Sequence, residues 1–296
     1  IFAFEPNLFS IIPSFFYSKL RGGKVIRAID DLWPEYLYER GIFSSKIIRF
    51  FLNRLAKFSY VFPEYLFPLN NAVKEIVHDS YKIDNEKFEV LSHGINIKKF
   101  TYSKKIRTNI FTLMYFGSLI ESYDFDLIIN AAKKLKEKNI QFIIRGRGKL
   151  LPYIKNQKEK YKLDNLLIQT DVIKNEEISK MLHKSDVLLA PMQKSKLANY
   201  SLPTKILEYQ AVGRPIICCS NGAVGTYVEQ TNSGLRADQG NLESFIDSIL
   251  KLESNPKLCD ILGENGRKNI EKEHTFEKIG IRLSYIIDKI IKNNTN

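Results

Sequence analysis

Cysteine is scarce in this chain of 296 residues, and its placement excludes more than its number does. Cys218 and Cys219 are adjacent and Cys259 stands alone downstream, which gives neither a disulfide framework nor zinc-ligand spacing. The adjacent pair lies in an apolar run, where buried free thiols are found, and this usage suits a reducing, cytoplasmic compartment. The four histidines, His78, His93, His183 and His274, are scattered, so no metal site is expected. No stretch approaches the roughly 18–20 uninterrupted apolar residues that a membrane span needs. A basic start and a small-residue cleavage site are also missing. The chain begins at Ile1, inside the apolar stretch Ile1 to Phe4, and reads as a piece whose natural N-terminus lies upstream.

Acid is in short supply as well: 33 Asp+Glu against 45 Lys+Arg give a net charge of +12. Residues 1–100 hold 14 Lys+Arg and 11 Asp+Glu, a balance of +3, which leaves +9 for residues 101–296. No nucleic-acid-binding motif, zinc finger or arginine tract accompanies that charge. A phosphate-bearing substrate or an anionic membrane surface accounts for it more simply than nucleic acid does.

What is present is the material for two α/β domains. The length allows two cores, and 44% apolar with 26% charged residues is a globular composition. From Phe111 onward short apolar runs alternate with helical spacing. Strands are expected at Phe111 to Phe116, Ile140 to Ile144, Leu166 to Gln169, Asp186 to Ala190 and Pro215 to Cys218. Between them come helices near Asp124 to Glu137, Leu150 to Tyr161, Glu176 to His183 and Thr204 to Val212. Continuous apolar strands separated by helices imply a parallel sheet covered on both faces, which binds ligands at the carboxyl ends of its strands. Leu242 to Leu252, Lys257 to Glu271 and Phe276 to Ile291 read as helices. Upstream, Lys24 to Ile29 and Phe88 to Leu91 read as strands and Ser45 to Phe58 as a helix. The polar segment Lys98 to Thr108, with five basic residues and no acid, marks a domain boundary.

The most informative segment runs Ser201-Leu202-Pro203-Thr204-Lys205-Ile206-Leu207-Glu208-Tyr209, then Gly213-Arg214-Pro215. Pro203 fits the first turn of a helix that ends at Gly213. The unpaired N–H groups of that first turn form an anion site, and Lys205 adds a full charge. Glu208, one turn on, could accept hydrogen bonds from two sugar hydroxyls while Lys205 holds phosphate. Read alone, an exposed Lys–Glu helix pair accounts for the same residues.

In order along the chain, these pieces resemble glycosyltransferase family 4, retaining enzymes of the GT-B fold. Phe116-Gly117-Ser118-Leu119 resembles the glycine turn after the first donor-domain strand, and Arg145-Gly146-Arg147-Gly148 a second Gly-x-Gly turn. Ala190-Pro191 ends a strand as in the family. His93-Gly94-Ile95-Asn96 with Phe100 resembles the segment before the interdomain linker, and Asp31-Leu32-Trp33-Pro34-Glu35 a piece of the acceptor domain. Ser201 to Glu208 resembles the donor-site helix. Two departures stand out. Tyr200 replaces the first of two glutamates spaced by seven residues, the second being Glu208. Ser118 and Tyr123 stand where many members carry an arginine and a lysine that neutralise diphosphate, a role Arg147 could take over.

The resemblance implies two Rossmann-like domains, the N-terminal one incomplete: a partial acceptor-side domain (1–100), a donor-binding domain (101–274) and a C-terminal helix (275–296) crossing back. It implies transfer of a sugar, with retention, from a nucleoside-diphosphate sugar to a saccharide or lipid-linked acceptor, with no metal or other cofactor. Lys205 would be catalytic, and Gly117, Ser118, Arg147, Ser201, Leu202, Thr204, Lys205 and Glu208 would bind donor. An inactive nucleotide-sugar binder and a basic nucleic-acid binder are the alternatives. Asp30, Asp31, Glu229 and His93 read as caps, surface acid and linker packing. From Lys46 to Lys57 a basic helix carries Ile47, Ile48, Phe51, Leu52 and Leu55. That stripe faces the core or, alternatively, makes a peripheral contact with anionic lipid on the inner face of the membrane.

Overall fold

The computed structural model describes residues 1–4, 8–39 and 41–292, with the backbone alone at Leu197. The chain divides into two units, one of Ile1–His93, Tyr200–Leu202 and Ile279–Asn296, the other of Gly94–Asn199 and Pro203–Lys278.

The first unit holds a parallel three-stranded sheet in the order β1-β2-β3, made of β1 (Phe2–Ala3), β2 (Ile26–Ile29) and β3 (Tyr65–Pro68). Ile26 pairs with both Phe2 and Tyr65. Every residue of β2 is buried, as expected of a strand covered on both faces. Helices α1 (Ile11–Arg21), α2 (Glu35–Glu39), α3 (Lys46–Val61) and α4 (Asn71–Tyr81) connect and follow the strands.

Two expectations fail in this unit. Phe88 to Leu91 is no strand: Phe88 makes an isolated parallel bridge to Leu66, while the N–H groups of Glu89 and Leu91 donate to the Leu66 and Pro68 carbonyls. Pro68 has no N–H to return, so the ladder stops there. The expected apolar stripe of α3 is split between two faces. Leu52, Leu55, Ala56 and Tyr60 pack into the core, whereas Ile47 and Phe51 are 70% and 65% exposed. A rotation of about 100° per residue places residues 47 and 51 on a different face from 52, 56 and 59.

The second unit is a six-stranded, all-parallel sheet in the order β6-β5-β4-β7-β8-β9. In chain order it runs β4 (Phe111–Phe116), α5 (Phe125–Lys134), β5 (Ile140–Arg145), α6 (Leu151–Lys160), β6 (Leu166–Gln169), α7 (Ile178–Leu182) and β7 (Val187–Pro191). There follow α8 (Thr204–Ala211), β8 (Ile216–Cys219), α9 (Ala223–Gln230), β9 (Gly234–Ala237), α10 (Leu242–Glu253) and α11 (Pro256–Asn269), which runs into a π turn, Ile270–His274. Helix α12 (Phe276–Lys292) closes the described chain. Its Ile286 and Ile290 join Ile26 and Phe67 in one core cluster of the first unit, but Phe276, expected on the apolar face, is exposed. Cys218, Cys219 and Cys259 are buried and free. Among the described residues no helix is long and apolar enough to cross a membrane.

The strand order reverses at β4: β5 and β6 extend to one side and β7, β8 and β9 to the other. Diverging connections leave a crevice beyond the carboxyl ends of the strands at such a switch point, where open α/β sheets bind ligands.

Candidate functional site

Three loops converge at the carboxyl end of β4. Gly117 follows the strand with φ of +145°, a conformation that side-chain-bearing residues rarely adopt. Its N–H donates to the Arg145 carbonyl at 3.0 Å, and the Leu119 N–H donates to the Arg147 carbonyl at 2.8 Å. The two glycine turns therefore lie backbone against backbone. A Cβ at Gly146 would overlap the Gly117 carbonyl, and one at Gly117 would overlap the Lys205 ammonium.

Helix α8 is pinned to this edge by Tyr209, whose hydroxyl donates to the Phe116 carbonyl and accepts from the Phe116 N–H, both at 3.0 Å. The helix begins at Thr204, as expected, but Pro203 is its capping residue, extended at ψ 139°, and not part of its first turn. Lys205 in the first turn reaches back over β4. Its Nζ donates to the Tyr115 hydroxyl at 2.9 Å and lies 4.3 and 3.8 Å from the Tyr115 and Tyr123 ring centroids. The reading of Lys205 and Glu208 as an exposed helix pair fails, because neither is exposed. Burial pushes the Lys205 ammonium down to about 7, against the partial restoring charge of Glu208. Burial raises the Glu208 carboxyl above the usual carboxylate range, with Lys205 opposing.

The remaining candidates divide. Thr204 is exposed on the first turn and Ser118 is exposed beside Gly117, its carbonyl accepting from the Tyr115 hydroxyl at 2.7 Å. Arg147 is exposed and held by Nε donating to the Thr170 carbonyl at 2.7 Å. It lines an open cleft of about 220 Å³ with Phe116, Arg145, Asp171, Val172 and Ile173, at the ends of β4, β5 and β6. Ser201 and Leu202 group with the first unit, so the second unit by itself brings together Gly117, Ser118, Lys205 and Glu208. Tyr115 and the cleft residues Val172 and Ile173 are not legible as site residues, since a tyrosine in an apolar run and a Val-Ile pair both read as core. Asp30, beyond β2 in the first unit, has its carboxyl raised by burial, with His93 opposing and Asp31 reinforcing.

The arrangement is a lysine in the first turn of a helix, beside a cleft lined by apolar residues, two arginines and an aspartate. Sequence comparison agrees with that architecture: the model of the family "Glycosyl transferases group 1" matches residues 97–269. The chain belongs to this family. The group 1 match covers the six-stranded sheet and ends with α11. Among curated relatives, an uncharacterized glycosyltransferase of Methanocaldococcus jannaschii is 22% identical over 287 residues, 94% of this chain and 71% of the relative. A second from the same organism is 26% identical over 177 residues, 58% of this chain and 47% of the relative. The UDP-Gal:alpha-D-GlcNAc-diphosphoundecaprenol alpha-1,3-galactosyltransferase of Escherichia coli is 25% identical over 218 residues, 68% of this chain and 54% of that enzyme. The chain thus spans from about half to 71% of the length of these relatives. Among solved structures, sucrose-phosphate synthase from Thermosynechococcus elongatus superposes with a TM-score of 0.80 at 14% identity, covering 99% of this chain and 74% of that one. Anabaena HepE in complex with UDP gives 0.76 at 12% identity, over 97% and 78%. At these identities the likeness establishes the fold, that of the two-unit, Rossmann-like GT-B glycosyltransferases.

Proposed function

We propose that this group 1 chain binds a nucleoside-diphosphate sugar at the switch point of its second unit and serves as the donor half of a retaining glycosyltransferase of family 4. The observation that carries the reading is Lys205: a half-buried lysine in the first turn of α8, its Nζ directly over Gly117, at the end of β4. Gly117, Ser118 and Thr204 line the diphosphate, with Arg147 at its outer edge. The cleft bounded by Val172 and Ile173 takes the nucleoside, and the Glu208 carboxylate, which no side chain or backbone group among the described residues engages in a hydrogen bond, accepts from ribose hydroxyls. Ser201 and Leu202 are assigned to the donor as well. Catalysis is then largely electrostatic. Lys205 and the helix N-terminus stabilise the charge that develops on the departing diphosphate, and an acceptor hydroxyl attacks the anomeric carbon. The residues of the first unit form part of the acceptor side.

The relatives support polysaccharide or glycolipid synthesis as the setting, through the undecaprenol-linked acceptor named for the Escherichia coli enzyme and the capsular polysaccharide role named for Staphylococcus aureus CapM. UDP complexes of HepE make uridine nucleotides the first donors to try. A lipid-linked acceptor would place the protein on the inner face of a membrane. The exposed Ile47, Phe50 and Phe51 of α3, set among Lys46, Arg49, Arg54 and Lys57, support docking on anionic lipid.

Thermal-shift screening against UDP, GDP, ADP and their sugar conjugates tests the reading. A ligand that binds only the native state raises the apparent stability, by about 2.7 kcal/mol at a hundredfold excess over Kd. Equal melting with and without every nucleotide would refute donor binding.

A further inference from the structure

We propose that Tyr200 is a positioning residue of the donor site: seated in the first unit, it fixes the segment that leads into α8, and with it the first turn that carries Lys205. The inference rests on the donor-site reading above and concerns what holds that turn in place.

Tyr200 stands where the resemblance to family 4 expects the first of two glutamates, and the structure gives the position a different use. A 3₁₀ turn, Leu197–Asn199, ends against the start of α9, where a Cβ at Gly222 would overlap the Asn199 backbone. The chain then leaves the second unit for three residues, Tyr200 to Leu202, and returns at Pro203. Within the first unit Tyr200 packs on the core cluster that holds Ile29 of β2, Tyr60 of α3 and Val73 and Val77 of α4. Its carbonyl accepts a hydrogen bond from Asn70 Nδ2 at 2.9 Å, while Asn70 Oδ1 accepts from the Val73 N–H at 3.0 Å. One side-chain amide thus caps α4 and grips the incoming loop, and the two contacts together fix which way that amide faces. The Tyr200 hydroxyl makes no hydrogen bond among the described residues, so ring and carbonyl form the anchor.

The anchor matters because α8 has little else to hold its start. The N–H groups of a helix first turn lack intrahelical partners, and Pro203 supplies no side-chain cap. That turn frays unless the chain before it is fixed. Three residues leave little slack for independent movement. A chain reaches at most about 3.3–3.6 Å per residue, so a shift of Tyr200 is taken up by Ser201 and Leu202 or passed to Pro203. Proline cannot absorb it at φ, which its ring holds at the observed −61°. Lys205 lies two residues further on, inside the turn. A first turn already held in place loses less freedom when a diphosphate binds, and its lysine meets the ligand in position. Tyr200 therefore acts on the diphosphate through α8 and without touching it.

UDP and inorganic pyrophosphate are the probes, each titrated by calorimetry. Tyr200→Ala should weaken both by the same factor, about tenfold or more, because the loss lies at the diphosphate end. Tyr200→Phe keeps the ring and the carbonyl and should bind both as the wild type does. Asn70→Asp keeps the cap on the Val73 N–H but removes the donor to the Tyr200 carbonyl, and should weaken both ligands in the same direction. A further arm uses the wild type alone. Coupling between two sites is reciprocal, so UDP should slow amide exchange at residues 70–74 of the first unit as well as at residues 204–208. Unchanged UDP affinity in Tyr200→Ala or in Asn70→Asp would overturn the proposal, as would a Tyr200→Phe as weak as Tyr200→Ala. Exchange at residues 70–74 that ignores bound UDP would overturn it without any variant, so a substitution that fails to fold leaves the test intact. Failure of the wild type to bind UDP or any other donor nucleotide would remove the donor-site reading instead.

Discussion

Lys205 shows how far a single residue could be read from sequence. Its place in a helix first turn and the residues around it pointed to phosphate, but the aromatic enclosure was hidden because Tyr115 belongs to an apolar strand 90 positions before Lys205 and Tyr123 lies in the loop that follows it; only the fold brings them together. Lys205→Ala should weaken UDP binding by roughly 1.5–3 kcal/mol, the range for a charge-assisted hydrogen bond. Glu208→Ala should weaken UDP but leave inorganic pyrophosphate unaffected, and calorimetry that finds equal losses for both ligands would withdraw its ribose role. Gly117→Ala tests the close approach of the turn to the lysine. A methyl group there overlaps the ammonium and has to be carried at φ of +145°. The lysine tip can swing aside while the backbone cannot relax as readily, so the variant should lose both nucleotide affinity and about 1 kcal/mol or more of stability. Unchanged UDP affinity at unchanged melting temperature would show that neither constraint operates.

Among the elements, those with uninterrupted apolar runs were legible almost to the residue, as Leu166–Gln169 and the six residues of β4 show. Elements whose signal is diluted were not. Strand β3 ends in a proline, β9 reads Gly-Leu-Arg-Ala with only its last residue buried, and α4 has little net hydrophobicity but gains a side-chain cap from Asn70 to the Val73 N–H. Their positions are set by pairing and packing with distant segments, which spacing along the chain does not encode. Helix α3 illustrates the opposite error: its apolar residues were visible but their facing was not. Because Phe50 and Phe51 stand outward, Phe50→Ser with Phe51→Ser should change stability by about 0.5 kcal/mol or less per site. If the face docks on lipid, the same pair should abolish co-sedimentation with vesicles containing phosphatidylglycerol. Binding of the wild type that ignores lipid charge would refute the electrostatic part of the proposal, and binding unaffected by the double substitution would refute the face.

At the scale of the whole molecule, the division of the chain does not follow its order, since residues from Ile279 onward belong with residues 1–93. The periodicity of α12 gave an amphipathic helix and nothing about what covers it; the answer lies in the first sheet. Ile286 and Ile290 are buried with Ile26 of β2 and Phe67 of β3, with Leu283, Ile287, Tyr65 and Leu91 around them. Lys24 Nζ donates to the Ile290 carbonyl at 3.1 Å, and Lys289 pairs with Glu89 at 3.3 Å, an exposed contact that adds little. The apolar contacts therefore dominate. Ile286→Ala should cost about 2–5 kcal/mol, a large share of the 5–15 kcal/mol that holds a domain folded. Removing the chain from Ile279 onward should do more, uncovering one face of β2 and β3 at once. Hydrogen exchange followed peptide by peptide reads out where the damage falls, because opening free energies differ between cooperative parts of a structure. Protection should collapse over residues 24–30 and 64–69, while the strands of the second sheet, with none of their residues in that cluster, should keep theirs. Loss confined to residues 111–220 would mean that α12 stabilises the second unit instead, and that the cluster around Phe67 contributes nothing the first unit needs.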